Sequence, residues 1–379
     1  MARDVDVLIA GGGPVGAVIA ASLETSGLAV ALVDPGDPAS GRLRPIALSH
    51  GSRLVLEGVG DFASLAATPI ETIHVSQSGG FGRTVMRCEE LDVPALGYVV
   101  DLSALTAHLA PLAPHARVRG RVVRWQGGED AARATIARDG AEETWTARLV
   151  LLADGGGNAG AGISQRDYGQ VAIAATVQTE VTPRGIAWER FTPHGPLALL
   201  PFADRYAVVW TVAANAAGRM LALDEPAFLS ALAGTFGGRL GRFLSVGPRT
   251  SYPLVLRFQR EPFAAPRVLL AGNAAQTLHP VAGQGLNLGL RDAAELAALI
   301  RATSRDVLGS PAFAARVAAS RAADRYATIG LTDSLVRVFS SSNPALAVAR
   351  GLGLAALDFA PPVRRFFARR MIFGARALP

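Results

Sequence analysis

The sequence predicts an α/β protein. It has a doubly wound, Rossmann-like dinucleotide-binding domain, an inserted and mostly antiparallel β-sheet domain, and a helical C-terminus. Three observations carry this. An apolar run at 5–10 ends in a glycine-rich turn that feeds an Ala-rich helical stretch. Two further apolar runs, 149–153 and 268–271, also end in glycine-containing loops, far along the chain. The intervening segments alternate or are β-branched at strand length, as sheet strands require.

The first element is a buried strand at 5–10, followed by Gly11, Gly13, Pro14 and Gly16 in the pattern G-x-G-x-x-G. Such glycines serve a tight turn, close approach of backbone to a pyrophosphate, and helix–sheet contact. A helix over 17–26 closes at Gly27, and its N-terminus offers free N–H groups to phosphate. The second strand spans 28–33, and Asp34 ends it 23 residues after Gly11, the place of the acid that holds a ribose hydroxyl.

Composition narrows the chemistry. All 37 members of the Lys+Arg class are arginine, which removes Schiff-base catalysis, pyridoxal-phosphate chemistry and the lysine-bearing P-loop. A single cysteine, Cys88, excludes disulfide frameworks and thiolate metal centres, and the six scattered histidines show no metal-binding spacing. No metal site is expected, so hard redox chemistry falls to an organic cofactor. Net charge is +6, yet the arginines spread along the whole chain and aromatics are 6%, so no nucleic-acid partner is expected. No run reaches the ~18 apolar residues of a bilayer span. Asp4 and Asp6 precede the first apolar run and glycines interrupt it, unlike a signal peptide, which points to the cytoplasm.

The strand at 149–153 runs into Asp154, Gly155, Gly156 and Gly157. The strand at 268–271 runs into a long loop, Gly272 to Asn287, and a helix to about 303. A glycine-rich loop feeding a helix again suits negative charge. The order of these motifs resembles class A flavin monooxygenases of the para-hydroxybenzoate hydroxylase type. Within them the chain looks like the ubiquinone-biosynthesis hydroxylases, most closely those acting on 2-polyprenyl-6-methoxyphenol. The segments that carry the likeness are RPIALS (44–49), WERFTPHGPL (188–197), 272–292 and TIGLTDSL (328–335). The resemblance covers essentially the full length.

This resemblance implies FAD. Gly11, Gly13, Pro14 and Gly16 would cradle its pyrophosphate, Asp34 its ribose, and Arg44 its phosphate or ribityl region. Asp154 and Gly155 would lie along the dinucleotide, with Asn273 near the ribityl chain. Pro280, Gly283, Gln284, Gly285, Leu286 and Asn287 would border the isoalloxazine. The reaction implied is transfer of the distal oxygen of a flavin C4a-hydroperoxide to a polyprenylated phenol. It consumes O2 and a reductant, NAD(P)H or a carrier protein. With one dinucleotide fingerprint present, a nicotinamide would bind transiently. The chain departs from its relatives in lacking an arginine after Asp101 and near Asn158. A sister hydroxylase acting at another ring position, a same-fold prenyl reductase and a non-catalytic subunit of the ubiquinone complex are the alternative readings.

The motif spacing implies a cofactor domain at 1–70, 98–170 and 262–340, a substrate domain at 71–97 and 171–261, and a helical region at 341–379. Insert strands are expected at 72–77, 171–180, 187–191, 198–200, 207–212 and 254–259, with turns at 192–196 and 247–253. By resemblance, Phe191, Leu197, Leu199 and Pro201 form the substrate wall. His194 and His279 are candidate proton carriers because histidine titrates near neutrality, and Pro280 borders the same place. At the C-terminus, Val363, Phe367, Met371 and Leu378 fall on one side of a helical wheel, and Arg365, Arg369 and Arg376 on the other. That pattern suits a basic amphipathic helix at the inner face of the cell membrane. A helix packed on the flavin domain has the same pattern.

Overall fold

The computed structural model describes residues 3–36, 43–156, 163–339 and 343–374. Gly157, Asn158, Arg376 and Leu378 lie outside the described residues. β1 (Arg3–Ala10), α1 (Pro14–Leu23) and β2 (Val30–Asp34) form the expected unit, with Val7 paired in parallel to Val30. The helix stops at Leu23, short of the predicted Ser26. The Ser26 hydroxyl donates to the Leu23 carbonyl at 2.6 Å and closes the last turn. β2 starts at Val30 rather than Leu28. The Leu28 N–H donates back to Ser26 Oγ at 3.3 Å and the Ala29 N–H to Asp6 Oδ2 at 2.8 Å.

Next in the chain come β3 (Pro45–Ser49), α2 (His50–Glu57), β4 (Thr72–Gln77) and β5 (Arg83–Arg87). β6 (Ala141–Leu152) returns to the first sheet, pairing in parallel with β1. The second sheet then takes β7 (Ile163–Thr179), β8 (Ile186–Thr192), β9 (Gly195–Phe202) and β10 (Arg205–Ala213). Helices α3 (Ala214–Ala222) and α4 (Glu225–Phe236) follow, and β11 (Thr250–Gln259) completes that sheet. β12 (Val268–Leu270) pairs in parallel with β6. The chain ends in four helices, α5 (Gln284–Arg301), α6 (Pro311–Phe339), α7 (Pro344–Phe359) and α8 (Pro361–Phe373).

The first sheet is parallel at its centre, in the order β12-β6-β1-β2, and apolar on both faces. That two-sided burial explains why its strands read as continuous apolar runs. The second sheet runs β11-β7-β10-β9-β8-β4-β5. Its pairs along this path are antiparallel except β8 with β4, where Ile186 lies opposite Thr72. One face is covered by α3 and α4 through Leu197, Leu199, Val208, Trp210, Phe228 and Leu232. The expected turn at 192–196 narrows to Pro193 and His194, because Thr192 already pairs with Gly195. The expected turn at 247–253 is also shorter. β11 runs through Pro253, opposite Val171, and its other neighbour bonds only Arg257 and Phe258, so no N–H is missed. β7 begins at Ile163, ahead of the expected 171.

Candidate active site

Each fingerprint glycine makes a different contact. Gly11 has φ +108°, and a Cβ there would lie 2.5 Å from the Ala153 carbonyl oxygen, where β6 ends. A Cβ on Gly16 would overlap the Gly11 carbonyl oxygen, so this glycine lets α1 close on the turn. Gly13 is the N-cap of α1 and faces open space. The approach to the helix N-terminus is therefore free, as a pyrophosphate needs. Asp34 ends β2 over Gly12, and its carboxylate sits 3.4 Å from the Arg117 guanidinium.

One continuous cavity of about 1860 Å³ runs from this turn to the uncovered face of the second sheet. Pockets for single drug-sized ligands run to roughly 300–1,000 Å³, so this one has room for a dinucleotide and a second ligand together. Gly11, Gly13, Pro14, Asp34, Arg44, Asp154, Gly155 and Asn273 line one end, and Pro280, Gly283, Gln284, Gly285, Leu286 and Asn287 line the middle. Gly16 lies behind the wall. Asp101 is also outside the wall, but its carboxylate accepts from the Arg44 N–H at 2.7 Å and fixes that strand entry.

The middle section is the N-terminus of α5. Gly283 caps it at φ +61° with no side-chain cap bond, leaving the first-turn N–H groups without intrahelical acceptors. Asn287 is a lock more than a ligand. Its Oδ1 accepts from the Ser49 N–H and the Ser52 hydroxyl, each at 2.7 Å. Its Nδ2 donates to the carbonyls of Ala47 (3.0 Å) and Gly283 (2.6 Å). Gln284 ties the same turn to α8, donating to the Met371 carbonyl at 3.3 Å.

The sheet end corrects the expected substrate wall. Phe191 lines the cavity and stacks on Phe339 of α6, with centroids 3.7 Å apart. Leu197 and Leu199 point the other way, fully buried under α3 and α4, and Pro201 shares their side of the strand. Side chains alternate along a strand, so Ala198 and Leu200 face the cavity instead. The far wall is Leu335 and Phe339 of α6, Leu354 and Leu357 of α7, and Phe367 and Met371 of α8.

The FAD binding domain family matches residues 4–307. Ubiquinone hydroxylase UbiL of Rhodospirillum rubrum is 37% identical over 384 residues, covering 96% of this chain and 88% of that protein. The chain belongs to the FAD-dependent ubiquinone hydroxylases. The 3-demethoxyubiquinol 3-hydroxylase of Escherichia coli K12 is 29% identical, over 95% of this chain and 96% of that one. The fold is shared with p-nitrophenol 4-monooxygenase PnpA from Pseudomonas putida DLL-E4, with a TM-score of 0.75 at 18% identity, covering 99% of this chain and 100% of that one.

The hydroxylase is thus an FAD-dependent oxidoreductase that uses a phenolic substrate, O2 and a reductant. Its residues fit FAD, because open space at Gly13 and at Gly285 leaves both helix N-termini approachable from the cavity. Neither histidine lines the cavity. His194 is exposed in the β8–β9 turn, away from the cavity. His279 is 1% exposed and outside the cavity wall; its Nδ1 accepts from the Val281 N–H at 3.1 Å, and its ring meets Tyr168 edge-on. Burial pushes its pKa down to about 4, so the imidazole stays neutral. Pro280 lines the cavity but has nothing to titrate. Beside Arg249 and Tyr252, the sheet side of the cavity carries one carboxyl outside the motifs above, Glu189, which burial lifts to about 7. Its position two residues before Phe191, on the same side of a strand, was the available signal.

Proposed function

We propose that this enzyme hydroxylates a 2-polyprenyl-6-methoxyphenol-type ring in ubiquinone biosynthesis. The observation that carries this is the cavity, which joins the dinucleotide turn to a floor of Ala187, Ala198, Ala207 and Val209 and to the apolar walls of α6, α7 and α8. Small floor residues leave room for a substituted ring, and the apolar walls suit a prenyl tail, each buried methylene favouring binding by roughly 0.8 kcal/mol. Gly13 and the α1 N-terminus would hold the FAD pyrophosphate, and Asp34 the ribose. The α5 N-terminus, fixed by Asn287, would face the ring system and stabilise negative charge there. When bound, FAD supplies the activation of oxygen. The protein's part is to orient the phenol and keep water out.

The tail needs a route to lipid. Phe359 (86% exposed), Phe366 (69%), Leu352 (59%) and Val363 (54%) form an apolar surface on α7 and α8, beside the helices that wall the cavity. The C-terminal wheel is thereby redrawn. Phe367, Ala368, Met371 and Ile372 all line the cavity, and Ala368 and Ile372 are also buried in an apolar cluster with Met86, Leu91 and Leu96. Among the described residues no single helix is long and apolar enough to cross a membrane, and α7 and α8 meet at 100°. We infer peripheral attachment at the inner face of the cell membrane, in reach of a ubiquinone-pathway complex. NAD(P)H or a carrier protein would deliver electrons transiently. The likeness to the 3-demethoxyubiquinol 3-hydroxylase favours, as second reading, oxygen placed at another ring position. Deleting the gene and identifying the accumulated precursor separates them. 2-Polyprenyl-6-methoxyphenol is expected; 2-polyprenylphenol or an unhydroxylated methoxyquinone overturns the assignment.

A further inference from the structure

We propose that Glu189 is the catalytic base of the hydroxylation, taking the proton of the substrate's phenol hydroxyl. This role rests on the phenolic substrate proposed above and names the group that activates it. β8 alternates about this residue. Trp188 packs on His74 and Phe236, and Arg190 Nε donates to the Thr235 carbonyl of α4, so both leave by the covered face. Glu189 faces the cavity with Ala187 and Phe191. Its neighbours across the sheet are Val75 and Ala198, whose side chains have nothing to donate. Glu189 Oε1 is sealed from solvent and has no hydrogen-bond partner.

The other charged residues of the cavity wall do not pair with it. Asp34, Arg44, Arg121 and Asp154 belong to the dinucleotide end of the wall, and the Arg249 guanidinium lies over the Phe228 ring at 4.9 Å. His74, Arg190 and Arg239 lie on the reverse face of the sheet, where Arg239 meets His74 at 3.1 Å. An unpartnered carboxylate costs stability, and an apolar residue would wall the cavity without that cost. A donor arriving with the substrate supplies the missing partner. Burial also suits the carboxylate to the task. A phenol ionises near 10, about 5.5 powers of ten above an ordinary glutamic acid at 4.5, and about three above this one at about 7.

In the step, the phenol O–H bond breaks and a carboxyl O–H bond forms. The phenolate's electron density raises the nucleophilicity of the ring carbon that accepts oxygen. The hydrogen displaced from that carbon leaves as the proton that completes the water by-product. Glu189 then returns its own proton to the phenolic oxygen and ends the turnover ionised.

The test uses FAD-loaded wild type, Glu189→Gln and Glu189→Leu, matched by flavin absorbance, with 2-farnesyl-6-methoxyphenol and its methyl ether as probes. Binding is read from the perturbation of oxidised-flavin absorbance, and turnover from the rate at which hydroxylated product forms when reduced enzyme meets oxygen. E189Q is expected to bind the phenol within about threefold of wild type, form product about 100-fold more slowly, and lose the acidic limb near pH 7. E189L is expected to bind the ether normally and the phenol about tenfold more weakly. A wild-type rate and pH profile in E189Q, with wild type active, overturns the role of Glu189 alone. So does an unchanged phenol-to-ether ratio in E189L. Wild type that binds neither probe overturns the phenolic reading and the base with it.

Discussion

Single residues decide what the cavity can do, and Glu189 does so through a pKa shift opposite to that of His279 behind the wall. Glu189 is held at about 7, above the 4.5 of an unfolded chain, so its folded state prefers the proton. That preference stabilises fully below pH 4.5 and is lost as pH rises through about 7. At 1.36 kcal/mol per pKa unit the loss is about 3 kcal/mol at most, an upper limit because the residue as a whole is only partly buried. E189Q should therefore melt higher than wild type at pH 8 and at the same temperature at pH 4. Thermal denaturation at the two values checks this, and equal melting at both would contradict it. His279 has the reverse sign. Lowered from 6.5 to about 4, it stabilises above pH 6.5 and its contribution is lost as pH falls through about 4. A neutral, sealed imidazole of this kind orders the Leu278–Val281 corner and leaves the pH–rate profile to Glu189.

At the scale of elements, helix α6 is joined to the cofactor loop by a buried polar network. Asp292 of α5 accepts from Arg321 and from Gln276 Nε2, the latter at 2.8 Å, and Arg321 also donates to the Leu270 carbonyl at 3.1 Å. Arg325 holds Gln276 Oε1 at 2.9 Å and the Gln259 carbonyl. Both guanidinium groups are buried, so removing their anion strands charge in the interior. Asp292→Ala should cost about 3–5 kcal/mol and loosen FAD, whereas exposed Asp306→Ala should cost under about 0.5 kcal/mol. Chemical denaturation with flavin release as second signal tests this, and equal losses in the two variants would contradict it. The strand–turn–helix unit was legible in the sequence because its glycines and its apolar run leave few alternatives. The strands of the insert were legible too, within a few residues. Which face of β9 meets substrate was not legible. One face packs under α3 and α4 and the other lines an apolar cavity, so Leu197, Ala198, Leu199 and Leu200 offer no apolar–polar alternation to read, and only pairing with β8 and β10 orients them. The same burial hid Glu189, which reads in the sequence as one more charge in a motif.

Over the whole molecule, the two sheets divide the work. The parallel sheet presents helix N-termini to the cavity, and the second sheet forms its floor. The C-terminal helices close the cavity and carry the exposed apolar surface beside it. With the membrane attachment proposed above, that arrangement would give the basic, apolar composition (mean hydropathy +0.29) a use at a lipid surface. Replacing Phe359 and Phe366 together by serine should reduce co-sedimentation with anionic phospholipid vesicles at least about tenfold. Turnover of a short-tailed phenol in solution should stay unchanged. Undiminished sedimentation would locate membrane contact elsewhere. The most direct test of the account is oxygen transfer itself. FAD-loaded enzyme, a reductant and 2-farnesyl-6-methoxyphenol under 18O2 should yield a ring hydroxylated once, with one labelled oxygen. A prenyl chain reduced in place of a hydroxylated ring, or a product free of label, would contradict it.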